Sequence, residues 1–237
     1  MGRRSTLTGE RRPRLTSERV LAAALTLVDE SGLDALTMRR LGEVLGVEAM
    51  SLYNHVAGKE GIVDGIVDLV LGEMEPISSE GDWDTAVRRC AISAHEVLLR
   101  HPWVCSLVMI PTLGRGVQGA RLRYIDSMLR RFREAGFSAD LAFRAYHAVD
   151  SHILGFTMWE IGHTSMGGDE PEIVETLLAE VMSGRYPFLV EHAEQHMVDR
   201  SGEQSEFEFG LELVLDGLRR MKATETGHKR RPKSKKG

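Results

Sequence analysis

The chain has 237 residues, of which 42% are hydrophobic and 27% are charged. This composition is typical of a globular protein with an apolar core, and it excludes a collagen-like or an intrinsically disordered chain. We expect no transmembrane helix, since no run of about 18 apolar residues is present. We also expect no secretory signal, because no apolar run follows the N-terminal arginines. Cys90 and Cys105 form neither a disulfide framework nor a metal-binding pair, which fits a reducing cytoplasm.

The net charge of −5 conceals two basic ends on an acidic body. Residues 1–15 carry a net charge of +4 and residues 222–237 carry +6, which leaves −15 for residues 16–221. We interpret residues 1–15 as a basic flexible arm and residues 222–237 as a basic flexible tail. Such segments are attracted to polyanions, although a merely solvated terminus is the simpler interpretation of the tail.

Apolar residues recur with helical spacing along almost the whole chain, and no regular period-2 alternation predicts a strand. The N-terminal part is predicted to contain four helices, at residues 17–30, 38–45, 48–55 and 59–74. Thr16 and Thr37 are the candidate N-caps of the first two, and Gly32 and Gly46 follow their ends. Pro76 and the polar residues after it interrupt the pattern, so we place a domain boundary there.

The second part of the chain is also predicted to be helical. Asp82 is the candidate N-cap of a helix that ends at His101, before Pro102. The remaining predicted segments lie at about 103–110, 117–135, 139–162, 171–183, 186–199 and 205–221. We therefore predict an all-α fold, in which an N-terminal domain (16–75) is joined by its fourth helix to a larger helical domain (82–221).

The segment from Thr37 to Lys59, TMRRLGEVLGVEAMSLYNHVAGK, has the spacing of a helix-turn-helix. In this motif a short helix and a glycine-containing turn precede a second helix, which enters the DNA major groove. Five apolar side chains would fix the crossing of the two helices: Leu41, Leu45, Val47, Leu52 and Val56. Six residues are left to face outward: Ala49, Met50, Ser51, Tyr53, Asn54 and His55. Asn54 is either a reader of adenine, whose N6 and N7 it can pair with, or a solvated side chain.

Residues 16–74 resemble the DNA-binding domain of the TetR repressor family. The resemblance is carried by DESG at 29–32, LTMR at 36–39, LGV at 45–47, LYxH at 52–55 and Lys59. The second part resembles the C-terminal domain of the tetracycline repressors. It does so in HPW at 101–103, AGF at 135–137, LGF at 154–156, FEFGL at 207–211 and LDGL at 215–218.

The resemblance implies a role for each matching residue of the motif. Phosphate or a base edge is expected to be contacted by Thr37 and Arg39, and the DNA backbone by Tyr53, His55 and Lys59. The residues expected to lie against bases are Ala49, Met50, Ser51 and Asn54. Because Ala49 and Met50 are apolar, they favour contact with a thymine methyl over hydrogen bonding.

The predicted DNA-binding domain is itself acidic. Residues 16–75 hold four basic and eleven acidic side chains, a net charge of −7. This charge opposes binding to DNA unless the acidic side chains face away and a basic segment compensates. We therefore expect the arginine-rich residues 3–14 to grip phosphate or a minor groove.

The resemblance further implies that the second domain binds a small-molecule effector and forms a dimer. The candidate ligand-binding residues are Trp103, Leu107, Met109, Tyr124, Met128, His147, Asp150 and Phe156, although apolar residues at helical spacing also fit a plain core. The helices at 139–162 and 205–221 are the candidates for a four-helix bundle between two copies. The apolar face predicted for it consists of Phe207, Phe209, Leu211, Val214, Leu215 and Leu218.

Two other sequence patterns could indicate a different kind of binding site. Residues 114–119 match GxGxxG, but the dinucleotide fingerprint needs a preceding strand, which residues 110–113 do not supply, so a flexible turn is favoured. His192 and His196 lie four residues apart, and no HExxH motif is present. A surface or pocket-lining role is favoured for this pair over a metal site, and no metal or other cofactor is expected.

The sequence is therefore interpreted as a cytoplasmic, homodimeric and ligand-responsive transcriptional regulator. It is expected to be a repressor that binds a near-palindromic operator in double-stranded DNA and is released by a small-molecule effector. Neither enzymatic activity nor membrane binding is expected. The alternatives are an all-α metal-assisted hydrolase that uses the histidine clusters, and a helical binding module without DNA contact.

Overall fold

The protein is described here as a computed structural model, which defines residues 14–109, 119–165, 180, 183–196 and 204–230. Within these ranges the secondary structure is helical and contains no strand, so the predicted all-α fold is confirmed. The helices are α1 (Ser17–Ser31), α2 (Met38–Leu45), α3 (Ala49–Leu52), α4 (Gly58–Gly72), α5 (Trp83–Arg100), α6 (Trp103–Met109), α7 (Gly119–Glu134), α8 (Ala139–Ser165), α9 (Pro187–His196) and α10 (Glu206–Arg230). None of the described helices is long and apolar enough to cross a membrane.

The chain divides into two compact units, and the division falls within α4, between Leu69 and Val70. The sequence placed the boundary a few residues later, at Pro76. The first unit contains α1, α2, α3 and most of α4, and the second contains α5 to α10.

Both early helices of the first unit begin at the predicted caps. The hydroxyl of Thr16 accepts a 3.2 Å hydrogen bond from the Arg19 amide, and that of Thr37 accepts one of 3.1 Å from the Arg40 amide. Each bond satisfies an amide that has no partner within its helix. At the other end of α2, Gly46 adopts a left-handed conformation with φ +67°, which glycine does at no steric cost. The buried core of this unit comprises Val20, Ala24, Leu27, Val28, Leu36, Leu41, Leu52, Ile62, Val63, Ile66 and Val67.

Helix α8 is the centre of the second unit and packs against α5, α7 and α10. Apolar residues from all four helices are buried there, including Ala91, Leu98, Met128, Phe132, Val149, Ile153, Phe207, Leu211 and Leu215. The loop between α7 and α8 adds Phe137, whose ring packs edge-on against Trp83 with centroids 4.9 Å apart.

Several predicted helix ends, and one predicted capping bond, differ from the structure. Helix α3 ends at Leu52, because residues 53–57 form turns. Asp82 stands at the N-cap of α5 but makes no side-chain capping bond. The last helix continues to Arg230, nine residues beyond the predicted end. The segment predicted at 171–183 lies almost wholly outside the described residues.

The extension of α10 is anchored to the rest of the second unit. The carboxylate of Glu225 accepts hydrogen bonds from the Ser138 amide at 3.1 Å and the Ser138 hydroxyl at 2.5 Å. The ammonium of Lys222 lies 5.9 Å from the ring centroid of Trp83 and 5.7 Å from that of Phe137, within the range of a cation–π interaction. The segment predicted as a flexible basic tail therefore begins inside a helix.

Candidate nucleic-acid interface and ligand cavity

Helices α2 and α3 meet at backbone contact. A Cβ atom added to Gly42 would lie 2.9 Å from the carbonyl oxygen of Val47 and 3.2 Å from the amide nitrogen of Ala49. The amide of Val47 in turn donates a 2.9 Å hydrogen bond to the Gly42 carbonyl. Leu41 and Leu52 are completely buried beneath this contact. The geometry of the helix-turn-helix is therefore fixed by backbone contacts, which leave little freedom to adjust.

The nine predicted DNA-binding residues lie between the start of α2 and the first turn of α4, all within the first unit. Met50 and Tyr53 are 75% and 52% exposed, although both are large hydrophobic side chains. Six of the nine are exposed, namely Thr37, Arg39, Met50, Tyr53, Asn54 and Lys59. The other three, Ala49, Ser51 and His55, are half-buried. Exposure of this kind is what contact with a partner requires.

The N-terminus of α1 is tied to the turn that follows α3. The hydroxyl of Ser17 donates a 2.7 Å hydrogen bond to the carbonyl of His55. The start of the helical chain is therefore held beside the residues predicted to contact DNA. Arg14, the first residue described, is exposed three positions earlier, and residues 3–13 of the predicted arm lie outside the described residues. Sequence spacing gave no signal for this contact, which joins residues 38 positions apart.

The two arginines of α2 have different surroundings. A guanidinium nitrogen of Arg40 donates a 3.3 Å hydrogen bond to the hydroxyl of Ser31, at the end of α1. Arg39 lies 3.7 Å from the carboxylate of Glu43, and both side chains are largely exposed. Because an exposed pair of this type is weak, Arg39 is available to an external anion.

The second unit contains a cavity with a volume of about 30 Å³. That volume is enough for a water molecule, so a larger ligand would have to widen the cavity. The apolar residues that line it are Leu71, Met74, Ala94, Leu98, Val108, Ile125, Ile153 and Leu154. The polar residues that line it are Arg121, Tyr124, Tyr146 and Asp150. A mostly apolar pocket with a few convergent polar groups is typical of a small-molecule site.

The polar groups of the cavity are incompletely hydrogen-bonded. The buried hydroxyl of Tyr124 has no hydrogen-bond partner among the described residues. The hydroxyl of Tyr146 donates a long bond of 3.4 Å to Asp150. Burial raises the pKa of Asp150, an effect that the positive charge of Arg121 opposes. Burial also raises the pKa of Tyr146 to about 12 and that of Tyr124 well above its usual value, so both phenols are neutral donors.

The predicted ligand-binding residues are spread over several environments. Tyr124 and Asp150 line the cavity, whereas Met128 is fully buried and His147 is exposed. Trp103 and Leu107 are half-buried on α6, and the side chain of Met109 lies outside the described residues. Phe156 belongs to a ring cluster with His95, His152 and Phe207. Arg121 and Tyr146 line the cavity but were not predicted, although they stand three or four positions from Tyr124 and Asp150 on the same helices.

The ring cluster joins α5, α8 and α10. The imidazole of His95 stacks on Phe207 with centroids 3.9 Å apart. Its Nδ1 lies 2.8 Å from the hydroxyl of Thr157, which itself donates to the Ile153 carbonyl, so Nδ1 of His95 is the donor. Burial lowers the pKa of His95 against the opposing effect of Glu160.

The apolar face predicted for the dimer is divided between two sides of α10. Four of its six residues are buried within their own chain, and they are Phe207, Leu211, Leu215 and Leu218. Phe209 is 55% exposed and Val214 is half-buried. The prediction was therefore wrong for the four buried residues, because α5 and α8 already cover that side. The exposed large apolar residues of α8 and α10 are Phe143, Met158, Trp159, Phe209, Leu213 and Met221.

The described residues hold no group of three or more His, Cys, Asp or Glu side chains that is placed to bind a metal ion. His192 is exposed on α9. The GxGxxG segment lies outside the described residues except for Gly119, the first residue of α7. The hydrolase alternative therefore has no support in this part of the structure.

The first unit contains a helix-turn-helix with exposed contact residues, and the second unit is helical and contains a cavity. This combination defines the class of DNA-binding regulators that also carry a small-molecule site. Residues 75–222 match the family model for the tetracyclin repressor-like C-terminal domain, and residues 20–66 match that for bacterial regulatory proteins of the tetR family. The chain belongs to the TetR family of transcriptional regulators. The predicted family and DNA-binding function are confirmed.

Individual relatives match along most of their length. The tetracycline repressor protein class D of Escherichia coli is 31% identical over 209 residues, which cover 86% of this chain and 89% of the relative. The crystal structure of a possible TetR family regulator from Streptomyces coelicolor A3(2) has a TM-score of 0.69 and 32% identity, and covers 86% of this chain and 99% of that one. The structure of the Streptomyces coelicolor protein ActR in complex with (S)-DNPA has a TM-score of 0.64 and 26% identity, covering 87% and 98%.

Proposed function

We propose that this protein is a repressor that binds a near-palindromic operator as a homodimer and leaves it when a small molecule occupies the cavity of the second unit. The observation that carries the proposal is the helix-turn-helix in which Met50, Tyr53 and Asn54 are exposed while Gly42 fixes the crossing of α2 and α3. The proposed site of action is the cytoplasm, which a DNA-binding function supports.

The nine residues named above are the proposed DNA contacts, and each has chemistry suited to its role. Tyr53 and Lys59 offer exposed donors to phosphate oxygens, and Asn54 offers both a donor and an acceptor to a base edge. Lys59 stands in the first turn of α4, whose N-terminal amides favour an anion. The basic arm is proposed to supply the positive charge that residues 16–75 lack.

The proposed dimer uses the exposed apolar residues of α8 and α10. Phe143, Phe209, Leu213 and Met221 are each more than half exposed on these two packed helices, and an exposed apolar surface of this kind supports an interaction site. A twofold axis would present two copies of α3 to successive major grooves, about 34–36 Å apart. The operator is therefore expected to be near-palindromic.

The proposed effector is a small, mostly apolar molecule with a polar group directed at Tyr124 and Asp150. The apolar lining of the cavity, and the Tyr124 hydroxyl without a partner among the described residues, support this assignment. The likeness to a ligand-bound ActR supports a small-molecule site in this unit. To reduce the affinity for DNA, the effector must bind more tightly to a conformer that fits the operator poorly.

The test is a selection of bound sequences from random DNA, followed by binding measurements at fixed salt with the wild type and Tyr53→Ala. We expect the selection to yield an inverted repeat and the variant to bind it at least tenfold more weakly, with unchanged folding and dimerisation. Recovery of no sequence motif, or equal affinity of the variant, would overturn the proposal.

A further inference from the structure

The composition of the recognition segment restricts the bases that it can read. Residues 49–56, AMSLYNHV, contain no arginine, lysine, glutamine, aspartate or glutamate. Arginine and lysine are the side chains that contact guanine O6 and N7, and aspartate and glutamate accept from cytosine N4. The segment therefore lacks the usual means of identifying a G·C pair in the major groove.

The exposed surface of the segment consists of two large hydrophobic side chains, Met50 and Tyr53, and the amide of Asn54. Among the described residues of the first unit, the large hydrophobic side chains that are exposed are Val44, Met50, Tyr53 and Leu69, and three of these four belong to the helix-turn-helix. Met50 is the most exposed, at 75%. A flexible thioether on the outer face of α3 gains free energy when it is buried against another apolar group. The apolar group that the major groove offers is the C5-methyl of thymine.

The nearby cations are directed elsewhere or suited to phosphate. Arg40 is bound to Ser31 at the end of α1. Arg39, beside Glu43, lies at the start of α2, and Lys59 lies in the first turn of α4. The first helix of this motif crosses the DNA backbone, so the position of Arg39 fits a phosphate contact. Both arginines of residues 37–59 are exposed, and Arg39, which makes only the weak pair with Glu43, is the competing candidate for reading guanine.

We propose that each operator half-site is read mainly through the methyl groups of thymines contacted by Met50 and Ala49, with Asn54 paired to an adenine and no guanine read by arginine. The proposal rests on the DNA-binding function proposed above and deepens it. It predicts that the bases facing α3 are A·T pairs. It also predicts that apolar contact contributes more to discrimination than hydrogen bonds to guanine.

The test uses the full-length protein and the operator obtained by selection, with binding measured by fluorescence anisotropy at fixed salt. Each thymine is replaced in turn by deoxyuridine, which removes only the C5-methyl group. Removing one buried methyl is expected to weaken binding about threefold to fivefold. The loss should occur at one or two thymines in each half-site and should be absent at flanking thymines.

Met50→Ala identifies the side chain responsible. In this variant the deoxyuridine substitution at the sensitive thymine should have no further effect, because the partner of the methyl group is already missing. The matched control is Leu122→Ala, which removes a side chain that is 52% exposed on α7. The control should keep both the wild-type affinity and the wild-type sensitivity to deoxyuridine.

Two outcomes would overturn the inference while leaving the proposed function intact. One is a selected operator that binds tightly but tolerates deoxyuridine at every thymine. The other is a loss of affinity with 7-deazaguanine, which lacks the N7 acceptor, that disappears in Arg39→Ala; this result would assign base reading to Arg39. If the selection yields no operator at all, the proposed function itself fails, and the two failures are thus distinct.

Discussion

Gly210 on α10 lies against the imidazole of His152 on α8, so closely that an added Cβ atom would stand 2.5 Å from Cε1 of the ring. Nε2 of the same imidazole donates a 2.9 Å hydrogen bond to the Phe207 carbonyl. We expect Gly210→Ala to lower the free energy of unfolding by about 1–3 kcal/mol, because the two helices must separate or the ring must leave its bond. Chemical denaturation would measure the change. Gly217→Ala is the matched control, since nothing lies within 4 Å of a Cβ there, and it should be neutral or stabilising.

Gly42→Ala is expected to abolish tight operator binding. The atoms that the new Cβ would meet belong to the backbone of Val47 and Ala49, so no side-chain movement relieves the contact and α3 must shift. We expect at least a tenfold loss of affinity in anisotropy, with a helical circular dichroism spectrum. Gly72→Ala, which has open space around its Cβ, should bind normally. Unchanged affinity of Gly42→Ala would show that the α2–α3 contact tolerates adjustment.

Deletion of residues 3–14 is expected to weaken operator binding and reduce its salt dependence. The deleted segment contains five arginines, and each phosphate contact contributes about 0.9 to the slope of log K against log salt concentration. Affinities measured at several salt concentrations give this slope. An unchanged slope would mean that the arginines contact no phosphate, and that the acidic first unit binds DNA without them.

Tyr124→Phe is expected to stabilise the free protein and to weaken the response to effector. Its hydroxyl is buried without a partner among the described residues, and removal of such a group recovers a desolvation cost of about 1–3 kcal/mol. The control is Tyr146→Phe, which removes a donor to Asp150 and should destabilise. Thermal denaturation distinguishes the two variants. A lower melting temperature for Tyr124→Phe would show that the hydroxyl is hydrogen-bonded.

The stability of the second unit is expected to depend on His95 in mildly acidic solution. Burial lowers the pKa of this residue in the folded state, so the unfolded chain binds more protons between the lowered pKa and the usual value of about 6.5. The free energy of unfolding should therefore fall as the pH decreases through this window. The facing charges are Glu160, which with Glu96 opposes the shift, and His152, which adds to it.

His95→Phe tests this linkage, since phenylalanine preserves the stacking on Phe207 and has no proton to gain. The pH dependence of unfolding below about pH 6.5 should be smaller in the variant than in the wild type. His147→Gln, at an exposed position, is the control and should retain the wild-type dependence. Equal pH dependence of His95→Phe and the wild type would assign the effect to other groups.

The helix-turn-helix could be predicted from sequence because its determinants are local. Thr16 and Thr37 cap their helices through residues three positions away, and Gly46 ends α2 in a left-handed conformation. The end of α3 could not be predicted, because the apolar spacing continues to Val56 while the backbone turns after Leu52. The bond between Ser17 and His55 depends on packing between distant segments, which periodicity does not report.

The larger unit was less predictable because its helices are apolar on more than one side. Spacing alone does not tell which side of α10 packs internally, and the structure places Phe207 inside and Phe209 outside. The residues that line the cavity were hard to predict for the same reason. Arg121 and Tyr146 line it because they share helix faces with Tyr124 and Asp150, and a charged or phenolic side chain gives no sequence signal for pointing inward.

The anchored end of α10 has a practical consequence for engineering. Glu225 accepts a hydrogen bond from Ser138, and Lys222 lies over the rings of Trp83 and Phe137. Truncating the protein after residue 221 would therefore remove these two interactions with the second unit as well as the positive charge. A dye attached at residue 226 would respond to movements of the second unit, since that residue lies within α10. The contribution of the basic C-terminal residues to DNA affinity should therefore be measured by neutralising those beyond Arg230 one by one, which leaves the interactions of Lys222 and Glu225 intact.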